Sequence, residues 1–425
     1  MLSAALRELY TRVPFGVRLG TDAMAAACAR AGNPERAFAS VHIAGTNGKG
    51  SVSALTEAAA RASGLRTGLY TSPHLARFAE RVRISGEVID DDALAEALTA
   101  ALRFGPDLTF FEVATLASFL AFRRAGVELA VLEVGLGGRH DATNVVGPPS
   151  LRLTAITRIA LDHTDRLGAD LPSIAREKAG IAKAGVPLVV GPVPPEVRAA
   201  IAEVALARGA LPVWTEDEPA DDEPAGARDA PDETYPARNE RLARRVCRAL
   251  GLDAGSVQLG FDRARWPGRF EWLETPDGPW LFDAAHNPDG AQALTASIAR
   301  DLAGNGSEPS VAPRGWPPGA TLRERPLALV FGALADKDFA ATLAILAPLT
   351  PRRFYAEPRS RAAAPPAALA ALAGGQAMGT PADALCAARA AVGLRGVVLV
   401  CGSVSLVGEA RALLLGEAMD PPVGM

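Results

Sequence analysis

Short apolar runs alternate with longer amphipathic ones along most of the chain. Residues 40–44 (SVHIA), 66–70, 129–134 (LAVLEV), 153–157 and 186–190 are short, mainly apolar runs, and each reads as a buried strand. Between them, residues 49–62, 91–104, 111–124, 172–183 and 195–208 carry apolar side chains at the three-to-four-residue spacing of helices with one face in a core. This alternation predicts βαβ units and a mostly parallel sheet.

Residues 216–233 interrupt the pattern. They hold nine acidic side chains and a single arginine, Arg228, and read as a solvated loop rather than an acidic partner-binding tail. A helix over 237–250 follows, and WPGRF at 266–270 has the Pro-Gly signature of a connection. Alternation then restarts. Strands are predicted over 280–283, 326–331, 353–355 and 397–401, and helices open near Pro288, Asp338, Pro381 and Ser405. The Gly- and Pro-rich stretch 304–324 reads as a mobile loop inside this second, smaller α/β unit.

Composition narrows the class. With 425 residues, 49% hydrophobic and 22% charged, the chain is globular in composition and long enough for two or three domains. A net charge of −4 does not favour a nucleic-acid partner, and no uncharged apolar run reaches the ~18 residues of a membrane span. Cys28, Cys247, Cys386 and Cys401 are too widely spaced for a disulfide framework or a zinc motif. Arg7 and Glu8 interrupt what would be the apolar core of a signal peptide, so a soluble cytoplasmic protein is expected; a monomer is the separate expectation for its assembly. Only four of the 44 basic residues are lysines: Lys49, Lys178, Lys183 and Lys337. In a chain that uses Arg wherever any cation serves, a retained Lys points to a need for an amine.

Candidate chemistry sits where strands end. GTNGKGS (45–51) lies between a predicted strand and a predicted helix, where backbone N–H groups and a helix N-terminus can cradle phosphates. Lys49 would reach the β- and γ-phosphates, and Ser51 or Thr46 would position metal or phosphate. The strict G-x-x-x-x-G-K-S/T pattern is not met, because Ile43 stands at its first glycine and Gly50 follows the lysine. Glu133 closes the apolar part of LAVLEVGLGG. A carboxylate there faces the crevice where α/β sheets bind ligands and suits Mg²⁺, with an ion pair to Arg139 as the plainer alternative. His163 follows another strand in ALDHTDRLG, and REKAGI (176–181) places Lys178 on the next helix. In FDAAHNPDGA (282–291), Asp283 and His286 are candidates to meet a ribose or nucleotide edge, with helix capping by Asn287 as the alternative.

Taken in order, GTNGKGS, YTSPHL (70–75), TFFEVATLASF (109–119), EVGLGGRHDATN (133–144), LDHTDRLG, REKAGI, WPGRF, DAAHNPDGA, GALADKD (332–338) and CGSVSLVGEA (401–410) resemble the folylpolyglutamate synthase family. That family includes a dihydrofolate synthase form and lies within the Mur ligase superfamily. The resemblance runs from about residue 15 to residue 410, with SPHL, EVGLGGR and REKAGI its most specific parts. It implies an α/β architecture: a P-loop-type, mostly parallel N-terminal ATPase domain over 1–262, a connection at 263–270 and a smaller Rossmann-like domain over 271–425. It also implies ATP- and Mg²⁺-dependent ligation of L-glutamate to a folate-type carboxylate through an acyl phosphate. The reaction is polyglutamylation of tetrahydrofolate, conversion of dihydropteroate to dihydrofolate, or both.

Residue by residue, the resemblance sets Thr46, Asn47, Gly48, Lys49 and Gly50 on the ATP phosphates, and Asn239, Arg269 and Asp283 on the nucleotide; Ser51 and His286 join them from their loop positions. Ser72, Glu133 and His163 match magnesium ligands, and Lys178 matches a lysine carboxylated by CO₂ to a carbamate, a group arginine cannot form. Lys49, Lys178 and His163 carry the catalytic expectation. Arg18, Leu19, Gly20, Thr109, Phe110, Phe111, Glu112, His140, Asp141 and Ala142 align with pterin-side contacts. One alternative is another Mur-type amide ligase, sharing the ATP loop but not SPHL or EVGLGGR. Another is a non-catalytic P-loop nucleotide-binding module, which has no use for the polar loops around Glu133, His163 and Lys178.

Overall fold

Two mostly parallel sheets carry the chain in a computed structural model that describes residues 2–12, 20–215, 217, 234–303, 325–359 and 362–420. The first sheet has eight strands: β1 (Ala39–Ala44), β2 (Thr67–Tyr70), β3 (Val82–Ile84), β4 (Glu87–Val88), β5 (Leu129–Glu133), β6 (Leu151–Ile156), β7 (Pro187–Val190) and β8 (Leu211–Trp214). Their spatial order is β4-β3-β2-β5-β1-β6-β7-β8, antiparallel only along the β2/β3/β4 edge. The second sheet has six: β9 (Glu271–Thr275), β10 (Gly278–Asp283), β11 (Leu327–Phe331), β12 (Arg353–Tyr355), β13 (Gln376–Ala377) and β14 (Val397–Cys401). Its order is β13-β12-β11-β14-β10-β9, with only β9/β10 antiparallel.

Central strands such as β5 (LAVLE) and β14 (VVLVC) are buried at every position, which is why they read as unbroken apolar runs. Helices cover both faces. Asp91–Phe104 and Phe110–Ala125 pack on one face of the first sheet, and Lys49–Ala62, Tyr235–Ala249 and Ala254–Arg263 on the other. Helix ends follow local chemistry. Asp90 accepts from the Ala93 N–H at 2.8 Å and caps the first of these, and Gly126 ends the second at φ 64.

Register decides where chemistry can sit. Ile43 pairs with Glu133 on one side and Ala155 on the other, so β1, β5 and β6 end level. Asp283 and Phe331 both pair with Cys401, so β10, β11 and β14 do the same. The loops leaving all six of these ends border one crevice between the two sheets.

The structure corrects several expectations. The helix predicted over 172–183 is Leu171–Ala179. It stops because Gly180 turns against Arg139, where a Cβ would meet the Arg139 Cα at 2.6 Å, and Ile181 and Ala182 continue in i→i+3 turns. Helices Leu2–Tyr10, Asp22–Arg30, Ala254–Arg263 and Pro366–Ala373, and strands β3, β4, β8, β9 and β13, were absent from the sequence pattern. Of the acidic 216–233 stretch only Asp217 is described, paired with Arg198; the predicted 304–324 loop and Arg18 and Leu19 lie outside the described residues. No described helix is long and apolar enough to cross a membrane.

Candidate active site

The 45–51 loop leaves β1 and enters the helix Lys49–Ala62 through two glycines whose left-handed backbone and close neighbours disfavour a side chain. A Cβ on Gly45 (φ 150) would stand 1.8 Å from the Thr157 Oγ1, and one on Gly48 (φ 89) would stand 2.4 Å from the Asn239 Oδ1. The second contact sets Asn239, on the helix Tyr235–Ala249, directly over the loop. A Cβ on Gly50 would meet the Trp266 Nε1 at 3.0 Å, so the WPGRF connection also rests on this helix N-terminus. Lys49 folds back, its Nζ donating to the Thr46 carbonyl at 3.1 Å.

This loop borders a cavity of about 140 Å³. Thr46, Asn47, Gly48, Lys49, Gly50 and Ser51 form one wall; Asn239, Arg269, Asp283 and His286 form the other. Ser72 and Glu133 line it as well. All ten residues expected on the nucleotide therefore face one space. Asp283 is tied more tightly to protein than its sequence position suggested. Its Oδ2 accepts from the Phe270 N–H at 2.8 Å and from the Tyr235 hydroxyl, and its Oδ1 accepts from the Ala285 N–H at 2.9 Å. Burial nevertheless pushes its carboxyl above the usual range, these donors opposing the shift.

Glu133 ends β5 with 5% of its surface exposed. Its Oε2 accepts from the Ser72 N–H at 3.2 Å. Burial raises its pKa, while Lys49, the Ser72 N–H, Arg269 and Arg81 pull it back. A carboxylate and a serine beside a phosphate-type loop fit a hard divalent cation that takes its remaining oxygens from phosphate and water. Among the described residues, no group of three or more His, Cys, Asp or Glu side chains forms a self-sufficient metal cage.

Lys178, in the last turn of Leu171–Ala179, is 5% exposed. Its Nζ donates to the Gly45 carbonyl at 2.9 Å. Burial, reinforced by the charge of Lys49, pushes its amine down to about 7. The Gly137–Gly138 turn makes room for it, since a Cβ on Gly138 would lie 2.7 Å from the Lys178 carbonyl oxygen. All four lysines make defined contacts: Lys49 to Thr46, Lys178 to Gly45, Lys183 to the Asn144 carbonyl at 3.0 Å, and Lys337 to Asp162 at 2.6 Å.

His163 meets Lys337 and Asp162. Its backbone is left-handed (φ 49), a conformation of order 1 kcal/mol uphill for a residue with a Cβ. Its Nε2 lies 3.2 Å from the Lys337 Nζ. Burial pushes it down to about 4, Asp162 opposing and Lys337 reinforcing the shift. It is therefore neutral at pH 7, with Nε2 accepting from the ammonium and the ring proton on Nδ1. Asp162 anchors this corner, its Oδ2 accepting from the Asn287 Nδ2 at 3.1 Å. Although burial raises its pKa, a hydrogen bond from His286 and the charge of Lys337 hold it well below the usual range. Nearby, the Asn47 Nδ2 donates to the Asn287 Oδ1 at 3.1 Å and the Asp289 Oδ2 at 2.8 Å, and the Arg158 Nε donates to the Asp289 Oδ1 at 3.0 Å. Asp162, Asn287, Asp289, Arg158 and Lys337 were not among the expected site residues. The scarcity of lysine was the one signal that could have found Lys337.

The small cavity adjoins a chamber of about 1320 Å³, the two sharing Ser72, Pro73, Arg158, His286, Asp289 and Val404. Thr109, Phe111, Glu112, His140, Asp141 and Ala142 line the chamber, as does His163. Glu112 Oε2 accepts from the Thr109 N–H at 2.8 Å in a capping box, while its buried Oε1 has no protein partner. Asp141 accepts from the N–H groups of Leu136 (2.9 Å) and Thr143 (3.0 Å) and from the Thr143 hydroxyl. Two expected residues do not reach the chamber. Phe110 points the other way from the helix start, stacked on Tyr10 at 5.9 Å and edge-on to Phe78, and Gly20 lines neither cavity.

No model of a known protein family matches the chain. The curated dihydrofolate synthase/folylpolyglutamate synthase of Escherichia coli K12 is 35% identical over 426 residues, covering 96% of this chain and 94% of that protein. The chain belongs to the dihydrofolate synthase/folylpolyglutamate synthase family. Solved structures agree. E. coli FolC in complex with DHPP and ADP superposes with a TM-score of 0.84 at 32% identity, over 98% of both chains. A bifunctional folylpolyglutamate synthase/dihydrofolate synthase with Mn, AMPPNP and L-glutamate bound gives a TM-score of 0.82 at 32% identity, over 97% of this chain and 98% of that one. Family membership makes this chain an ATP-dependent ligase with two α/β units, as the two sheets require.

Proposed function

We propose that the chain joins L-glutamate to a folate-type carboxylate at the expense of ATP, acting on dihydropteroate, tetrahydrofolates or both. The observation that carries this reading is the junction of the two cavities, where Ser72, Pro73, Arg158, His286, Asp289 and Val404 line both. It sets a phosphate-sized pocket against a chamber larger than the roughly 300–1,000 Å³ of a typical single-ligand site. Units over 1–262 and 271–425, connected by 263–270, would both line the cavity. The family structures solved with AMPPNP, Mn and L-glutamate, and with DHPP and ADP, support the same ligand set here.

In this reading the 45–51 loop and Lys49 hold the ATP phosphates, with Asn239, Arg269, Asp283 and His286 around the remainder. Ser72 and Glu133 would hold Mg²⁺, which would supply neutralisation of the phosphate charge. A carboxylate oxygen of the folate-type substrate attacks the γ-phosphorus and ADP leaves. The glutamate amine then adds to the acyl carbon, loses its proton, and phosphate departs. The chain's task is placement and charge balance rather than covalent catalysis. Lys178 acts as its carbamate: the neutral amine adds to CO₂ and loses a proton, turning a buried cation into an anion beside the loop. His163, whose Nε2 faces the Lys337 Nζ, would add an imidazole to a metal shell there once that contact opened. Thr109, Phe111, Glu112, His140, Asp141 and Ala142 face the pterin-bearing substrate.

The test is ADP release from purified protein, which should require both glutamate and a pteroate- or folate-type acceptor; release independent of either refutes the reading. A panel of acceptors at fixed glutamate then distinguishes dihydropteroate from tetrahydrofolate use. Glu133→Gln should shift the Mg²⁺ dependence of turnover upward by about 10–100-fold. A titration that overlays the parent's removes Glu133 from the metal.

A further inference from the structure

The 71–81 loop, which carries Ser72 and walls one side of the chamber, is gripped from three directions. From inside, the Glu80 carboxylate accepts from the N–H groups of Leu75 (2.7 Å), Ala76 (3.0 Å) and Arg77 (2.7 Å), fixing its curvature. The other two grips come from the half built on the second sheet. A Cβ on Gly408, in the helix Val404–Leu415, would stand 2.1 Å from the Leu75 carbonyl oxygen, so helix backbone lies directly on the loop. Beyond that helix, the Asp420 Oδ2 accepts from the Phe78 N–H at 2.6 Å, and the Asp420 N–H donates to the Ala76 carbonyl at 3.0 Å.

The segment reaching Asp420 is itself anchored. Gly416, at φ 66, ends the helix, and the Glu417 N–H donates back to the Ala412 carbonyl at 3.0 Å. The Glu417 carboxylate accepts from the Arg411 Nη1 at 2.8 Å, and the Arg411 Nε donates to Glu271 at 3.1 Å. Glu271 in turn accepts from the Gly268 N–H at 2.7 Å, inside WPGRF. Met419 and Asp420 then complete the chamber wall beside His74, Leu75 and Ala76.

We propose that Asp420 and Gly408 are positioning residues of the ligation: they set the 71–81 loop, and through it His74, Leu75 and Ala76 on the acceptor side of the chamber. The Ser72 end is held separately, its N–H bonded to Glu133, while the His74 Nδ1 accepts from the Arg81 Nε at 2.9 Å within the part of the loop that Asp420 grips. The kinetic part of this proposal rests on the ligase reading; the structural part does not.

The experiment compares Asp420→Ala, Asp420→Asn and Gly408→Ala in the full chain. Hydrogen exchange at the Phe78 amide should be about tenfold faster in Asp420→Ala and near parental in Asp420→Asn, which keeps an acceptor oxygen. In steady state, Asp420→Ala and Gly408→Ala should each raise the KM for a pteroate-type acceptor about tenfold, while the KM for ATP moves by less than about twofold. Parental exchange in Asp420→Ala overturns the proposal without reference to turnover. An equal rise in every KM, or Asp420→Asn as damaging as Asp420→Ala, also overturns it. Faster exchange in a series in which the parent itself shows no ligation upholds the contact and counts against the ligase reading. Should Asp420→Ala fail to fold, parental acceptor KM in Gly408→Ala decides against the proposal.

Discussion

Lys178→Arg is expected to lower turnover by about 10²–10³-fold or more, the scale of losing one preorganised charge at the reacting centre. The residue is buried at the end of its helix with Nζ on the Gly45 carbonyl, and burial together with Lys49 brings its amine to about 7. At neutral pH a large fraction is therefore unprotonated, the form that adds to CO₂. A guanidinium has no such form and leaves a fixed cation where the account needs an anion. Lys178→Met, uncharged and similar in length, should be as inactive while remaining folded. Lys178→Ala should regain part of its activity when short carboxylic acids are added. Carbon-13 NMR of the parent equilibrated with labelled bicarbonate should show a carbamate resonance that disappears in all three variants. In the unmodified protein, folded Lys178 titrates near 7 and the unfolded residue near 10.5. Between those values the unfolded chain holds a proton that the folded chain lacks, so stability rises with pH across the window. Thermal midpoints should show that slope reduced in Lys178→Met. A fully active Lys178→Arg protein contradicts the carbamate role.

Lys49→Ala is expected to cost about 10²–10³-fold in kcat with the fold intact, because the half-buried side chain makes its hydrogen bond to the Thr46 carbonyl at the loop surface rather than in a core. Its charge acts on two neighbours in opposite senses. It lowers the pKa of Lys178 and also that of Glu133. Removing it should raise both, so that carbamate formation in Lys49→Ala moves to higher pH and the metal dependence weakens with it. Turnover near the parent's, with an unchanged KM for ATP, removes Lys49 from the phosphates.

The parts of the site that lie at strand ends were legible because strand alternation and a Gly-rich turn are local signals. GTNGKGS, Glu133 and Asp283 each close an apolar run, and the level ends of β1, β5 and β10 with their neighbours follow from parallel pairing. What sequence could not show is pairing across distance. Lys337 meets Asp162 across 175 positions, and Asn47 meets Asn287 across 240, with no periodicity to announce either. The short edge strand β4 was missed because both its residues are exposed and carry no apolar pattern. Phe110 was placed with its neighbours because a motif names residues in a row, whereas a helix turns about 100° per residue and sends Phe110 into the core beside Tyr10. The helix predicted to run to 183 stopped at Ala179 for a reason only tertiary packing supplies, the close approach of Gly180 to Arg139.

The central claim, that a folate-type carboxylate is activated by phosphoryl transfer before glutamate attacks, is tested most directly by oxygen tracing. A pteroate-type acceptor labelled with oxygen-18 in its carboxylate is incubated with ATP, Mg²⁺, glutamate and the protein, and the released phosphate is examined by mass. The acyl phosphate leaves one carboxylate oxygen on phosphorus, so each phosphate formed with the amide should carry one labelled oxygen. Phosphate released without label, while the amide forms, contradicts the account.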